Sequence, residues 1–149
     1  MPASRRLDAQ SGKLKFALAP EWAAPSQARR LVQRWLTDHS WPADQRDDLV
    51  LATSEAVANS VEHGYGLARH TATAARGAIE VCGRVLADKL GRYVELVVRD
   101  HGRWRPIPPD RGSRGHGLKV MRELVAEMSV HATSSGTTVV LRSQAVPAT

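Results

Sequence analysis

The sequence predicts an α/β (α+β) two-layer sandwich, with three main helices on one face of a largely antiparallel five-stranded sheet. Five short segments carry the apolar pattern of strands, and most of them are joined by short turns. Three other segments repeat apolar residues at helical spacing, so each helix has a face that another layer must cover. These observations predict the element order β-α-α-β-β-loop-α-β-β.

The first strand is predicted at Leu14, Phe16 and Leu18, which alternate with Lys or Ala. Pro20 ends it, and we expect it at the edge of the sheet. Ser26 is predicted to cap a first helix that runs to about Asp38. The apolar positions of this helix are Ala28, Leu31, Val32, Trp35 and Leu36. We expect three tryptophans to pack around it, Trp22, Trp35 and Trp41.

A second helix is predicted to begin near residues 42–44 and to end at Gly64. Proline suits a first helical turn, and the aspartates that follow it suit the exposed amides and the positive end of the helix dipole. A hairpin follows, with its turn at residues 88–91 and a strong β run at residues 93–98. The proline- and glycine-rich residues 101–116 are predicted to be irregular.

A third helix opens at Gly117, and the chain closes with a hairpin. The apolar face of this helix is assigned to Leu118, Val120, Met121, Leu124, Val125 and Met128. The last two strands are predicted at residues 128–133 and 137–142, across a Ser-Ser-Gly turn.

At 149 residues the chain has the length of one domain. We expect residues 1–12 to be disordered, residues 13–143 to form a single domain, and residues 144–149 to be a flexible tail. One cysteine, Cys82, excludes an internal disulfide framework and a thiolate zinc cluster. No apolar run is long enough for a membrane helix, and the basic N-terminus lacks the apolar stretch of a signal peptide. We therefore expect a cytoplasmic protein that does not contact membranes.

The formal charge of +6 favours anionic partners, which include nucleotides, nucleic acids and acidic proteins. No helix-turn-helix, zinc finger or aromatic RNA-binding motif accompanies the charge. A nucleic-acid-binding protein therefore stays a remote alternative.

On the second helix, Glu55, Asn59 and His63 are spaced i, i+4, i+8 and share an arc of about 80°. Such an arc is more often only a solvated face. However, Ala52 and Ala56 beside it leave room for a ligand. A carboxylate and a carboxamide also offer the oxygen ligands that Mg²⁺ prefers, together with a general base.

Asp100 and Gly102 follow the strongest strand. An aspartate there can simply start a turn. An ionised carboxylate also accepts a hydrogen bond from a group such as the exocyclic amine of adenine, and glycine lets a flat base lie close to the backbone.

Residues 112–119, GSRGHGLK, lie directly before the third helix. Amides at a helix N-terminus bind phosphate. The segment is not a P-loop, because Leu118 stands where the lysine must be, and Val120 replaces the third glycine of a dinucleotide fingerprint. It is an anion-site candidate, and a plain glycine-rich surface loop is an equal alternative.

In this order, the motifs resemble the N, G1 and G2 boxes of the Bergerat-fold (GHKL) ATPases, the superfamily of type II topoisomerases and histidine kinases. They are most similar to those of the bacterial anti-sigma-factor serine/threonine kinases. Residues 54–65, SEAVANSVEHGY, match the N box nearly throughout; residues 100–102, DHG, stand at G1 and residues 115–118, GHGL, at G2. Gly136 and Thr137 occupy the place of the Gly-Thr element in the final strand. The resemblance covers about residues 14–142 and implies the Bergerat, or histidine-kinase-like ATPase, fold.

The resemblance also implies ATP and Mg²⁺ as cofactors and a role for each matched residue. Asn59 would coordinate the metal, Glu55 would be the catalytic base, and Asp100 would bind the adenine amine. The other nucleotide-contacting positions would be His63, Gly102, Gly115, His116, Gly117, Leu118 and Thr137. A lid over about residues 103–114 would close on the nucleotide. Trp104 departs from the family, which usually has a second glycine there.

The implied function is an ATP-binding serine/threonine protein kinase that acts as an anti-sigma factor in a bacterial partner-switching circuit. Its expected partners are an anti-sigma-factor antagonist of the STAS type, a sigma factor and, in a homodimer, a second copy that uses the N-terminal strand. The motif residues do not separate this kinase from a non-catalytic, ATP-sensing interaction module, because both need Asn59, Asp100 and the glycines.

Overall fold

The computed structural model describes residues 12–64, 77–102 and 116–147. Within these ranges the chain forms five strands, three α-helices and one π-helical turn. The strands are β1 (Lys13–Leu18), β2 (Ile79–Asp88), β3 (Gly91–Asp100), β4 (Glu127–Thr133) and β5 (Gly136–Arg142). The helices are α1 (Ala24–Asp38), α2 (Ala43–Asn59) and α3 (His116–Leu124), and the π-helical turn, Ser60–Gly64, continues α2. The predicted fold class and the predicted order of helices and strands are confirmed, while most of the segment predicted as irregular, residues 101–116, lies outside the described residues.

The sheet has the order β1-β2-β3-β5-β4, and every neighbouring pair is antiparallel. β1 is therefore an edge strand, as predicted. Because side chains alternate along a strand, one face of β3 packs under the helices. The buried residues on that face are Val94, Leu96, Val98 and Asp100. A polar residue thus ends an otherwise apolar, buried row.

The core lies between this face of the sheet and the helices. α1 packs on α2, and α2 packs on α3. Trp35 fills the space above Gly83, where an added methyl group would lie 2.9 Å from its ring. This contact leaves little room for a side chain at position 83. Trp35 and Trp41 are buried as predicted, whereas Trp22 is 57% exposed and does not pack on α1 as a core residue.

The first helix begins earlier than predicted. α1 starts at Ala24, and no side chain caps it. Ser26 lies inside the first turn, where its hydroxyl oxygen accepts a hydrogen bond from Arg30 at 3.3 Å. Pro25 accounts for the earlier start, because its fixed φ suits the first helical turn and it has no amide to leave unpaired.

The third helix ends at Leu124, before the predicted apolar face is complete. The Ala126 amide donates to the Arg142 carbonyl oxygen at 2.9 Å, so sheet pairing replaces helical pairing there. Val125 and Met128 still pack partly against the core, but from outside the helix. Because Val125 and Met128 continue the apolar spacing of the helix, the sequence pattern does not show where the helix ends.

The packed structure continues past residue 143, where the sequence placed the end of the domain. Val146 is buried and pairs with Arg92 through two backbone hydrogen bonds of 2.8 and 2.7 Å. The Arg92 guanidinium lies 4.9 Å from the centre of the Trp41 ring and donates to the His39 carbonyl oxygen at 3.5 Å. These contacts tie the C-terminal segment to the corner between α1 and α2.

Candidate functional site

Asp100 and Thr137 form a buried polar pair at one end of the sheet. They are direct partners in the register of β3 and β5, and each is only 1% exposed. Directly opposed residues share a face of the sheet, with Cβ atoms about 4.5–5.5 Å apart. The pair therefore lies on the face that the helices cover.

The Asp100 carboxylate has a defined position. Its Oδ1 atom accepts a hydrogen bond from the Gly102 amide at 3.1 Å, so the residue does start a turn. This structural role is compatible with ligand binding, because a carboxylate has two oxygens and several acceptor positions. The turn fixes where those positions point.

The Thr137 hydroxyl is buried, and no residue that the structure describes forms a hydrogen bond with it. A buried hydroxyl without a partner costs about 1–3 kcal/mol of stability. Native proteins leave few such groups, and those that persist often meet a ligand or an ordered water. The hydroxyl and the neighbouring carboxylate thus fit a polar ligand with donors and acceptors, such as a nucleotide base.

Gly136 sets the spacing at this end of the sheet. Its φ is +150°, which side chains rarely adopt, and an added Cβ would overlap the Asp100 carbonyl oxygen. The turn between β4 and β5 therefore lies directly against the end of β3. The sequence placed Gly136 in the turn of the last hairpin and, through the resemblance, in the Gly-Thr element, and the structure gives it a physical role beside Asp100.

The end of α2 carries the second group of candidates. Glu55 is half-buried and Asn59 is 7% exposed, one helical turn apart. None of the side-chain hydrogen bonds within residues 12–64, 77–102 and 116–147 involves either residue. A carboxylate and a buried carboxamide with no hydrogen-bond partner among the described residues suit the oxygen coordination of Mg²⁺.

A π-helical turn at the end of α2 packs against the sheet. Ser60–Gly64 contacts both β3 and β5, the strands that carry Asp100 and Thr137. A π turn has more residues than an α turn, so the 100° step that relates Glu55 to Asn59 does not extend to His63. π-Helical turns inside α-helices occur frequently at functional sites.

The third group is the start of α3. The helix begins at His116, one residue before the predicted start, so His116, Gly117 and Leu118 of the GHGL segment lie in its first turn. The first amides of a helix have no intrahelical partner and can bind an anion. Gly115 and the proposed lid at 103–114 lie outside the described residues, as do the side chains of His63, His116 and Leu118.

One contact near the site was not predicted. His101 Nε2 lies 3.7 Å from Glu80 Oε1, at the point where the chain leaves β3. Counting residues back from the hairpin turn pairs Glu80 with Arg99, so the register alone brings Glu80 close. That register could have been derived from the turn at Asp88 and Gly91.

The family comparison covers almost the whole domain. Residues 17–143 match the family described as histidine kinase-like ATPase domain. The chain belongs to this family. The match spans every motif named above, from the helix with Glu55 to the Gly-Thr element of β5. Within this ATPase domain, no helix formed by the described residues has both the length and the apolarity needed to cross a membrane.

Solved structures agree with the family. The ATPase domain is similar to the structure of the RsbU and RsbW domains of Rv1364c from Mycobacterium tuberculosis, with 28% identity and a TM-score of 0.67. That match covers 92% of this chain and only 34% of the other. The domain also resembles the SiaB-SiaC complex from Pseudomonas aeruginosa, with 11% identity, a TM-score of 0.58 and 95% of both chains covered. The second likeness shows a shared fold alone.

Proposed function

We propose that this ATPase domain is a serine/threonine protein kinase that binds ATP with Mg²⁺ and phosphorylates a partner protein. The observation that supports it most directly is the buried pair of Asp100 and Thr137. A carboxylate beside a hydroxyl that has no hydrogen-bond partner among the described residues matches the amine and ring nitrogens of adenine. Membership of an ATPase family supports the nucleotide as ligand.

The phosphates would lie between α2 and the start of α3. Asn59 would hold the metal, which usually keeps several waters and binds one or two side chains plus phosphate oxygens. Bound Mg²⁺ would neutralise charge on the phosphates. Backbone amides at Gly115 and Gly117 would bind phosphate oxygens. The other nucleotide-binding positions are His63, Gly102, His116 and Leu118.

Glu55 would act as the general base for the acceptor. Its carboxylate would take the proton of a serine or threonine hydroxyl as that oxygen bonds to the γ-phosphorus. The bond from the γ-phosphorus to the bridging oxygen breaks, and ADP leaves. Positioning and charge neutralisation supply most of the catalysis in phosphoryl transfer, so one carboxylate plus the metal is sufficient machinery.

The biological setting in the proposal is a partner-switching circuit in the bacterial cytoplasm. The acceptor would be a STAS-type anti-sigma-factor antagonist, and the kinase would otherwise sequester a sigma factor, as a homodimer. Support comes from the N-box resemblance and from the likeness to a structure that contains an RsbW domain.

Two substitutions test binding and transfer separately. Asp100→Asn keeps an oxygen for the Gly102 amide but removes the charge. We expect about a tenfold to hundredfold loss of ATP affinity by calorimetry, the range for a hydrogen bond to a charged group. Asp88→Asn is the matched control, because the Asp88 carboxylate likewise accepts a hydrogen bond from the amide two residues later. The Leu90 nitrogen lies 2.8 Å from Asp88 Oδ1. Equal ATP affinity of the two variants would reject the adenine site.

Glu55→Gln addresses the base. We expect this variant to bind ATP like the wild type but to transfer γ-phosphate at least about a hundredfold more slowly to the acceptor that co-purifies from the native cell. Glu21→Gln, at an exposed position before α1, serves as the control. Wild-type protein that binds ATP but phosphorylates no co-purifying protein would instead favour the ATP-sensing module.

A further inference from the structure

The exposed face of α2 before Glu55 has an unusual composition. Asp44, Asp47, Asp48 and Leu51 are all exposed, and Leu51 is 41% exposed. At 100° per residue, all four lie within about 80° of Glu55 around the helix. We call these four residues the acidic stripe. It runs along α2 and leads to Glu55 and then to Asn59.

Helix stability explains only part of the acidic stripe. A negative charge in the first turn interacts favourably with the helix dipole, and Asp44 accepts the Gln45 amide at 2.9 Å. That effect fades beyond the first turn, so it does not account for Asp47 and Asp48. Neither of them pairs with a cation in the part of the chain that the structure describes. Leu51 adds an exposed apolar side chain among these charges.

The geometry of α2 restricts how an acceptor can reach Glu55. On the C-terminal side, the π-helical turn packs on β3 and β5. Asn59, nine-tenths buried and without a hydrogen bond from any described residue, lies at that closed end. The helix surface on the other side of Glu55 is the acidic stripe, and it is open to solvent. An acceptor segment that reaches Glu55 along the helix must therefore cross it.

We propose that the acidic stripe is the docking surface for the segment of the partner protein that carries the acceptor hydroxyl. This inference rests on the proposed phosphoryl transfer and adds the chemistry of its substrate. The segment would place an apolar side chain on Leu51 and lysine or arginine side chains on Asp47 and Asp48. Electrostatic complementarity of this kind selects among partners and speeds their encounter.

The helix rise gives the spacing of the recognised residues. Along α2, Leu51 lies about 6 Å, Asp48 about 10 Å and Asp47 about 12 Å before Glu55. An extended segment rises about 3.3 Å per residue. The apolar residue would thus stand about two positions from the acceptor serine or threonine, and the basic residues about three and four positions away.

Synthetic peptides test the docking surface directly. The probe is a fluorescent peptide with one central serine, leucines about two positions away and lysines about three and four positions away on both sides. A matched peptide has glutamate in place of each lysine. Fluorescence anisotropy without nucleotide and with a non-hydrolysable ATP analogue measures binding. We expect the lysine peptide to bind about tenfold more tightly, the sum of two or three exposed ion pairs.

Two variants assign that binding to the acidic stripe. Asp47→Asn with Asp48→Asn removes charge at constant shape, and Leu51→Ala removes the apolar contact while keeping a good helix former. Each should weaken binding of the lysine peptide several-fold and leave ATP affinity unchanged. The controls are Asp38→Asn, an exposed aspartate at the end of α1, and Leu90→Ala, an 81% exposed leucine in the hairpin turn.

The outcomes separate the docking surface from the kinase reaction. Equal binding of both peptides, binding of neither, or unchanged binding by the stripe variants overturns the docking surface. Stripe-dependent peptide binding without transfer of phosphate from ATP supports the docking surface and rejects the kinase. Self-association that the stripe variants abolish would assign the surface to a second copy of the chain and would also overturn the proposal.

Discussion

The buried hydroxyl of Thr137 should affect stability and ligand binding in opposite directions. Thr137→Val has nearly the same shape and removes a buried polar group that has no partner among the described residues. We expect the free energy of unfolding to rise by about 1 kcal/mol, because the desolvation cost of the hydroxyl disappears. ATP affinity should fall several-fold, because the ligand loses a hydrogen-bond partner.

Thr138→Val is the control for this change, since Thr138 is the next residue of β5 and faces away from the helices. Chemical denaturation and calorimetry on both variants check the prediction. A Thr137→Val protein that is less stable than the wild type, or that binds ATP normally, would contradict it.

Single residues also show what the sequence could and could not predict about the site. Asp100 was found because a charged residue directly after an apolar strand is conspicuous. Its pairing with Thr137 depends on the register between β3 and β5, which are separated along the chain by a loop and a helix. No local pattern fixes that register. Thr137 was therefore predicted only through the resemblance.

At the scale of elements, the turn between β4 and β5 controls the end of β3. Gly136→Ala would strain the backbone at a φ of +150° and push a methyl group into the Asp100 carbonyl. We expect a loss of more than about 1 kcal/mol of stability together with weaker ATP binding. Ser134→Ala, an exposed change in the same turn, should alter neither. Thermal unfolding and calorimetry measure both effects, and wild-type ATP affinity in Gly136→Ala would show that the turn does not position Asp100.

Glu95 links three strands across the face of the sheet opposite the helices. Its carboxylate accepts hydrogen bonds from Arg84 on β2 and Arg142 on β5, each at 2.9 Å. Burial raises the pKa of Glu95, but the hydrogen bonds and charges of the two arginines outweigh it and hold the pKa below its usual value. A depressed pKa in the folded state stabilises the protein above the unfolded pKa, and this contribution is lost as the pH falls through the folded pKa.

We therefore expect Glu95→Gln to be less stable than the wild type at pH 7 and to lose less stability on acidification below about pH 4.5. Urea unfolding from pH 7 to pH 3 measures this difference, with Glu21→Gln as the exposed control. Parallel pH profiles of the wild type and Glu95→Gln would show that Glu95 contributes no acid sensitivity.

Among the elements, those with a clear periodicity were predicted well. Both hairpins and the edge strand followed from period-two patterns and turn residues. The start of α1 was predicted too late. Ser26 favours a helix cap at its own position, whereas Pro25 favours the first helical turn, and the helix begins there. The end of α3 was predicted too late because Val125 and Met128 fit the apolar face of a helix as well as that of a strand. The π-helical turn has no local signature, so its change of phase before His63 was not predictable.

For the whole molecule, the C-terminal segment completes the packing rather than trailing from it. Deleting residues 144–149 would remove the buried Val146 and its two hydrogen bonds to Arg92. We expect a loss of about 2 kcal/mol, the usual contribution of one buried valine. Deleting residues 148–149 alone should change stability little. Circular dichroism during urea unfolding measures the two truncations, and equal stability of both would show that Val146 contributes nothing.

The end of the domain was predicted too early because residues 143–149 have no periodic pattern. Val146 pairs at the start of β3, beside Gly91, where an added Cβ would overlap the Val146 carbonyl oxygen. Such a contact depends on the position of a distant hairpin turn. The two-layer sandwich was predictable because many apolar positions indicate it together. The pairing of the C-terminal segment with β3 follows from a single apolar residue, Val146.

A nucleotide held by both Asp100 and Thr137 would also affect the lifetime of the protein. The two residues belong to strands that separate only when the sheet opens, so a ligand held by both would bind the folded chain alone. At a concentration about a hundred times its Kd, such a ligand adds about 2.7 kcal/mol to the unfolding free energy. Protease digestion of the purified protein should slow accordingly when ATP is added, and a cell depleted of ATP should degrade the protein faster.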